Sequence, residues 1–265
     1  MEERYIELKV NTKPEFVDLL ADFIMSASGE AVEYGEDFVI LRTSSDTTEL
    51  EKKLQSLDIE CSIVKEEKEN KDWIKIYQDS VQPIDVAEFY VHPSWYEPKE
   101  GKKNILINPA LAFGSGHHAT TYSCLQAISE SVKSGDTLLD VGCGSGILAL
   151  AACLKGAVVD LCDTDPLAVE STQENFALNK LSYNEIWVGS ANKTSKRYDI
   201  VVANIIADVL KIIANELKSK VKEGGTLIIS GILDKKEHIV TEAFSDLEML
   251  KRIQKDEWVT IYYKG

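Results

Sequence analysis

Apolar and polar residues alternate over residues 5–10, near the start of the chain, and this predicts a strand. In "PEFVDLLADFIMSAS" the residues Phe16, Leu19, Leu20, Phe23 and Ile24 recur at helical spacing behind Pro14, and Gly29 closes the helix. "EAVEY" and "DFVILR" read as two strands around a turn at Gly35 and Glu36. "TTELEKKLQSL" is a second amphipathic helix begun by a threonine cap, and "IECSIVK" is a fourth strand. The order β-α-β-β-α-β predicts a small α+β domain of ferredoxin-like type over residues 1–65.

A charge run, "KEEKENKD" (65–72), then marks a linker. The stretch that follows is rich in proline and aromatic residues. It predicts short strands and turns, with Trp73, Tyr77, Trp95 and Tyr96 buried between two domains, so 66–108 is expected as linker and inter-domain segment. From residue 120 the pattern turns regular. Helices are expected at 120–133, 146–155, 166–179, 205–220 and 235–245. Strands are expected at 138–141, 157–162, 185–188, 198–203 and 226–230, with two more at the C-terminus. Strands alternating with helices predict an α/β domain over 109–265, built on a doubly wound, Rossmann-like parallel sheet. Ligands of such sheets sit at the carboxyl ends of the strands, where the strand order reverses.

Composition narrows the class. At 44 % hydrophobic and 28 % charged residues, this is an ordinary globular chain with no apolar run long enough for a membrane span. Five cysteines are scattered without a C-x-x-C pair; reduced, mostly buried thiols in a cytoplasmic protein are expected, and no metal site. The net charge of −15 excludes a phosphate-binding surface of clustered Lys and Arg, so no nucleic-acid partner is expected. Residues 1–70 hold 18 acidic and 8 basic side chains; such a field attracts a basic partner, or serves as a solvated surface kept for solubility. The same module lacks the basic, aromatic sheet face that RNA-binding domains of this topology need. A monomer is expected.

The chemistry concentrates in "LLDVGCGSGILALAA" (138–152), where a strand meets a helix across Gly142, Gly144 and Gly146. Their G-x-G-x-G spacing is one residue short of the dinucleotide pattern G-x-G-x-x-G, and Asp140 lies two residues before the first glycine. "VVDLCDTDP" ends the next strand in Asp163, whose carboxylate can accept hydrogen bonds from two ribose hydroxyls and would repel a 2′-phosphate. Asp165 before Pro166 reads as a helix N-cap. "YDIVVAN" brings Asn204 to the end of the neighbouring strand. Its side-chain carbonyl can accept an amine N–H and aim the nitrogen lone pair; capping the following helix is the alternative role.

Together "LLDVGCGSG", Asp163 and "VVANI" resemble class I S-adenosylmethionine-dependent methyltransferases. "INPALAFGSGHHATT" (107–121) is similar to the segment preceding the cofactor domain in the ribosomal protein L11 methyltransferase (PrmA) family, which reads D-P-G-L-A-F-G-T-G-T-H-P-T-T. "DWIKIYQDSVQPI", "HPSW" and "LIISGIL" echo other family segments, so the resemblance covers nearly the whole chain. It implies S-adenosylmethionine as methyl donor, with S-adenosylhomocysteine as product, and a basic ribosomal protein held by the acidic N-terminal domain. By it Thr121, Gly142, Asp163 and Asn204 match the family's cofactor contacts, with Gly144 and Gly146 in the same turn. Phe113 and Gly114 belong to a loop closing over the donor. Asn108, Ser115, His117 and Ala119 stand where the family has Asp, Thr, Thr and Pro, and His118 matches the family histidine.

The resulting expectation is an N-methyltransferase acting on lysine side chains or an N-terminal α-amine, with Asn204 as the catalytic residue and no essential carboxylate base. The N-P-P-Y motif of amide and base methyltransferases is replaced by Asn204-Ile205-Ile206-Ala207, which suits a flexible aliphatic amine. The alternatives are a methyltransferase for another protein or a small-molecule amine, an inactive cofactor-binding scaffold, and an NAD-dependent oxidoreductase.

Overall fold

The computed structural model describes residues 4–57, 59–69, 81–108 and 118–265, and the chain divides into two compact units, 1–80 and 81–265.

In the first unit, β1 (Arg4–Thr12) is followed by a 3₁₀ turn (Pro14–Phe16) and α1 (Val17–Ser28). Then come β2 (Val32–Tyr34), β3 (Phe38–Thr43), α2 (Thr48–Gln55) and β4 (Cys61–Glu69). The sheet order is β2-β3-β1-β4, antiparallel throughout. Alternation along β1 turns Leu8 and Val10 to one face, opposite Leu41 and Val39 of β3, where they pack with Leu20, Ile24 and Leu54 of the helices. Gly29 ends α1 in the left-handed region at φ 74°, its N–H reaching Met25 O, as the sequence leads one to expect. The threonine cap of α2 is not formed. The Thr47 hydroxyl donates to Glu51 instead, and the Asp46 carboxylate takes the Thr48 N–H. On the other sheet face Glu7 lies between Arg42 and Lys68, and Arg42 also reaches Glu33. Burial raises the Glu7 carboxyl, but the two cations outweigh it and hold it below its ordinary value.

The second unit opens with a small sheet of β5 (Ile84–Val86), β6 (Phe89–His92) and β7 (Lys103–Leu106), in that order. Residues 81–108 were expected between domains. They belong to this unit instead, with Phe89, Val91, Ile105 and Ile107 joining its core. Residues 66–69 complete β4, and Trp73 and Tyr77 lie outside the described residues.

Then follow α3 (Ala119–Ser131), β8 (Thr137–Val141), α4 (Ile147–Leu154), β9 (Val158–Asp163), α5 (Pro166–Leu178) and β10 (Glu185–Val188). The chain continues through β11 (Tyr198–Asn204), α6 (Ala207–Ile212), α7 (Ala214–Lys220) and β12 (Val221–Leu233). It ends with α8 (Glu237–Ala243), β13 (Glu248–Lys255) and β14 (Trp258–Lys264). The seven-stranded order is β10-β9-β8-β11-β12-β14-β13, so the winding reverses between β8 and β11. Central strands are apolar on both faces: Leu138, Val202 and Ile228 pack toward α3 and α4, while Leu139, Val201 and Ile229 pack toward α6 and α7.

The expected all-parallel sheet is corrected by β14, which runs antiparallel to both neighbours. The reason is the two-residue connection Asp256–Glu257, which can only return an antiparallel strand. "WVTIYYK" is buried as an inner strand, whereas the polar β13 forms the edge. The single helix expected at 205–220 is two, interrupted at Ile213, although Leu210, Ala214 and Leu217 keep one core-facing stripe across the break.

Candidate functional site

The glycine turn closes at the carboxyl end of β8, beside the reversal point. Gly142, Gly144 and Gly146 all have left-handed φ, at 74°, 54° and 77°, which only glycine adopts without strain. A side chain at Gly142 would also place its Cβ 2.6 Å from Ile205 Cγ2. The N–H groups of Gly142 and Cys143 both donate to Cys162 O, at 2.8 and 3.1 Å, tying the turn to the end of β9. Gly146 is the N-cap of α4 and stands behind the turn.

Asp163 is the last residue of β9. Its Oδ2 accepts the Gly144 N–H at 3.0 Å and its Oδ1 accepts the Asp165 N–H at 3.0 Å, so the carboxylate is held from two sides. Asp165 in turn caps α5, accepting the Leu167 N–H at 2.9 Å with Pro166 at the first helical position. Asp165 is therefore the helix cap that the sequence suggests.

Asn204 ends β11, opposite Ser230 of β12. It does not cap α6, whose N-cap is Ile206 with no side-chain bond, and that alternative falls away. The Asn204 Nδ2 donates to Thr121 Oγ1 at 3.4 Å, while its Oδ1 is buried with no partner among the described residues. An orphaned carbonyl at a strand end is costly unless a ligand completes it.

These groups surround a cleft of about 640 Å³. Gly142, Gly144, Asp163 and Asn204 line it; Thr121 is buried behind Asn204 and reaches the cleft only through that side chain. Ile205, Ile206, Val209 and Ile213 make an apolar part of the wall, and Thr120, Thr164 and Ser190 add polar groups to it. His118 and Trp258 close one side, their rings edge to face at 4.6 Å. His118 also caps α3, accepting the Thr120 N–H at 3.4 Å, with Thr120 Oγ1 2.7 Å from the same nitrogen. Phe113, Gly114 and His117 lie outside the described residues.

The sequence reading gave no role to Asp140. It is fully buried beneath the turn, and neither carboxylate oxygen has a hydrogen-bond partner among the described residues. Burial pushes its carboxyl up to about 7, with the Asp163 charge adding to this. A lone Asp in the apolar run "LLDV" was the available signal. Burial likewise pushes the Cys124 and Cys162 thiols up to about 12, so they stay protonated and supply no nucleophile. Among the described residues no group of His, Cys, Asp and Glu could hold a metal ion.

A glycine turn, a strand-end carboxylate and a strand-end amide gather around the reversal point of a 3-2-1-4-5-7-6 sheet, and the chain is an S-adenosylmethionine-dependent methyltransferase by its family. The profile of the ribosomal protein L11 methyltransferase (PrmA) family matches residues 39–265, and the chain belongs to that family. It is 49 % identical to the ribosomal protein L11 methyltransferase of a Nitratiruptor species, across 100 % of this chain and 98 % of the relative. It is 41 % identical to that of Wolinella succinogenes, across 98 % of both chains. The crystal structure of ribosomal protein L11 methylase from Lactobacillus delbrueckii subsp. bulgaricus superposes with a TM-score of 0.64 at 28 % identity, covering 68 % of this chain and 97 % of that one. Membership of this family places methyl transfer above the oxidoreductase alternative.

Proposed function

We propose that this enzyme methylates amino groups, lysine side chains or an N-terminal α-amine, of ribosomal protein L11 in the cytoplasm. The buried, unpartnered Asn204 Oδ1 beside Asp163 and the glycine turn carries the reading. The residues present fit S-adenosylmethionine, whose sulfonium supplies an electrophilic methyl group when bound. Gly142 and Gly144 present bare backbone to the cleft, which suits close approach of an adenosyl group, and the remaining lone pairs of Asp163 suit sugar hydroxyls.

The chain's own work is then to deliver a neutral amine in line. A free lysine titrates near 10.4. The wall of Ile205, Ile206 and Val209 favours its uncharged form by excluding water. Asn204 Oδ1 accepts one amine hydrogen and turns the lone pair toward the methyl group, which is orientation rather than base catalysis. Asp163 has both oxygens engaged by backbone amides, which supports a mechanism without a carboxylate base.

The first unit's strand order supports a ferredoxin-like reading of 1–65, and its charge favours a substrate-holding role. Part of its acidic excess is neutralised within the sheet, as Glu7 shows, but Glu15, Asp18 and Asp22 line the outer face of α1 and its lead-in turn, exposed and without an ion pair among the described residues. That face offers negative charge to a basic protein.

Incubating the full chain with S-adenosylmethionine carrying a labelled methyl and with unmethylated L11, followed by mass mapping, tests the reading. Label on L11 amines is the expected result. Label only on small molecules, or none despite cofactor binding, would replace it with the small-amine or scaffold alternative.

A further inference from the structure

The inner face of α5 carries polar residues among its apolar ones, where a core helix is ordinarily apolar. Thr172 and Asn175 are both fully buried, and burying such groups is costly unless every bond is made. Their bonds go to the glycine turn. Thr172 Oγ1 donates to Gly144 O at 2.9 Å, and Asn175 Nδ2 donates to Ser145 O at 2.9 Å. The other end of the Asn175 amide, Oδ1, accepts the Asn108 N–H at 3.0 Å. One turn further along the helix, Asn179 brackets Leu106, accepting its N–H at 2.8 Å and donating to its carbonyl at 2.7 Å.

We infer that Thr172 and Asn175 are positioning residues for cofactor binding: together they hold the glycine turn in its binding shape, and Asn175 ties that turn to the backbone entering segment 109–117. The inference rests on the reading that the turn holds S-adenosylmethionine. Three glycines make the turn conformationally free, so its shape must be imposed from outside. Gly144 is fixed on both sides, its N–H by Asp163 and its carbonyl by Thr172. Loosening the carbonyl side frees Gly144 to rotate and removes a restraint on the Asp163 carboxylate. Through Asn175 the same helix holds the Asn108 backbone. Apolar side chains would pack here more cheaply; what the amide and hydroxyl add is a defined backbone position.

The test uses the full chain and S-adenosylhomocysteine as probe. Thr172→Val keeps the shape and removes the donor to Gly144. Asn175→Asp keeps the acceptor for Asn108 and removes the donor to Ser145. Asn179→Asp, which touches neither the turn nor Asn108, is the control. Calorimetry is expected to show about tenfold weaker binding for the first two, the effect of one lost hydrogen bond, while Asn179→Asp binds like the wild type even where its Tm falls as far. Faster hydrogen exchange at the Gly142–Gly146 amides of the ligand-free Thr172→Val protein, and a raised KM for S-adenosylmethionine with that for the protein substrate unchanged, are expected with it. Thr172→Val carries the test by itself if Asn175→Asp does not fold. Wild-type affinity in Thr172→Val together with a lowered Tm would make the helix face merely structural and overturn the inference alone. Absence of binding by the wild type would overturn the cofactor reading and this inference with it.

Discussion

Gly231 on β12 lies directly against the backbone of Ile205, so closely that a Cβ at Gly231 would stand 2.3 Å from Ile205 O and 2.7 Å from its carbonyl carbon. The same Ile205 has its side chain against Gly142, so the residue after Asn204 is clasped between a glycine of the turn and one of β12. Backbone cannot yield as a side-chain tip can. Gly231→Ala is therefore expected to displace Asn204 and Ile205 and lower kcat by about a hundredfold, the cost of a misplacement near 1 Å. Gly224→Ala is the control. Its φ of 75° carries the same left-handed strain but nothing lies within 4 Å of its Cβ, so it should lose about 1–2 kcal/mol of stability with kcat unchanged. Equal kcat in the two variants would show that the Gly231 contact does not govern the site.

Asn204 and Thr121 make a second, graded test. Asn204→Ala removes the acceptor proposed for the amine and should cut kcat about a hundredfold. Thr121→Val leaves that acceptor in place but takes away the hydroxyl that receives Nδ2, so the amide can rotate, and a loss of about tenfold or less is expected. Both should bind S-adenosylhomocysteine far better than they turn over. A Thr121→Val loss as large as that of Asn204→Ala would mean that Thr121 does more than orient the amide.

The parts of this site that were legible in the sequence are those fixed by short-range rules. Asp165–Pro166 had to start a helix, the glycines had to turn, and Asp163 and Asn204 had to end strands. The direction of β14 was not legible from its apolar pattern, since only pairing with β12 and β13 reveals it. The aromatic stretch at 81–108 has the composition of a domain interface, yet its short strands pack within one unit. The polar residues on the inner face of α5 were hidden most deeply. Thr172 and Asn175 look like solvent-facing positions in "PLAVESTQENFAL", and only the turn they bond to explains their burial.

The buried Asp140 gives the ligand-free protein a pH signature. Its carboxyl is raised in the fold to about 7 from an ordinary 3.8, so between those values the folded state binds the extra proton. Stability from this group is present below about 4 and is lost as pH rises through 7. Asp140→Asn, which cannot ionise, should lack that decline. Its stability relative to the wild type is expected to grow as urea denaturation is repeated from pH 4 to pH 7.5. Parallel pH profiles for the two proteins would place the Asp140 titration elsewhere.

The outer face of α1 decides whether the acidic module recognises substrate by charge. Asp18 and Asp22 are exposed and make no ion pair among the described residues, so replacing both with Lys removes no packing, and stability should change by less than about 0.5 kcal/mol per site. If the face attracts a basic protein, the doubly substituted enzyme should show a KM for L11 raised about tenfold at low salt, with kcat and the KM for S-adenosylmethionine unchanged. Raising the ionic strength shortens the screening length to a few ångströms near 1 M, so the difference from the wild type should shrink as salt is added. A KM that stays at the wild-type value in low salt would remove α1 from the recognition surface and leave the acidic excess as a solubility feature. A raised KM that salt does not narrow would indicate direct contact with the substituted side chains, not long-range attraction.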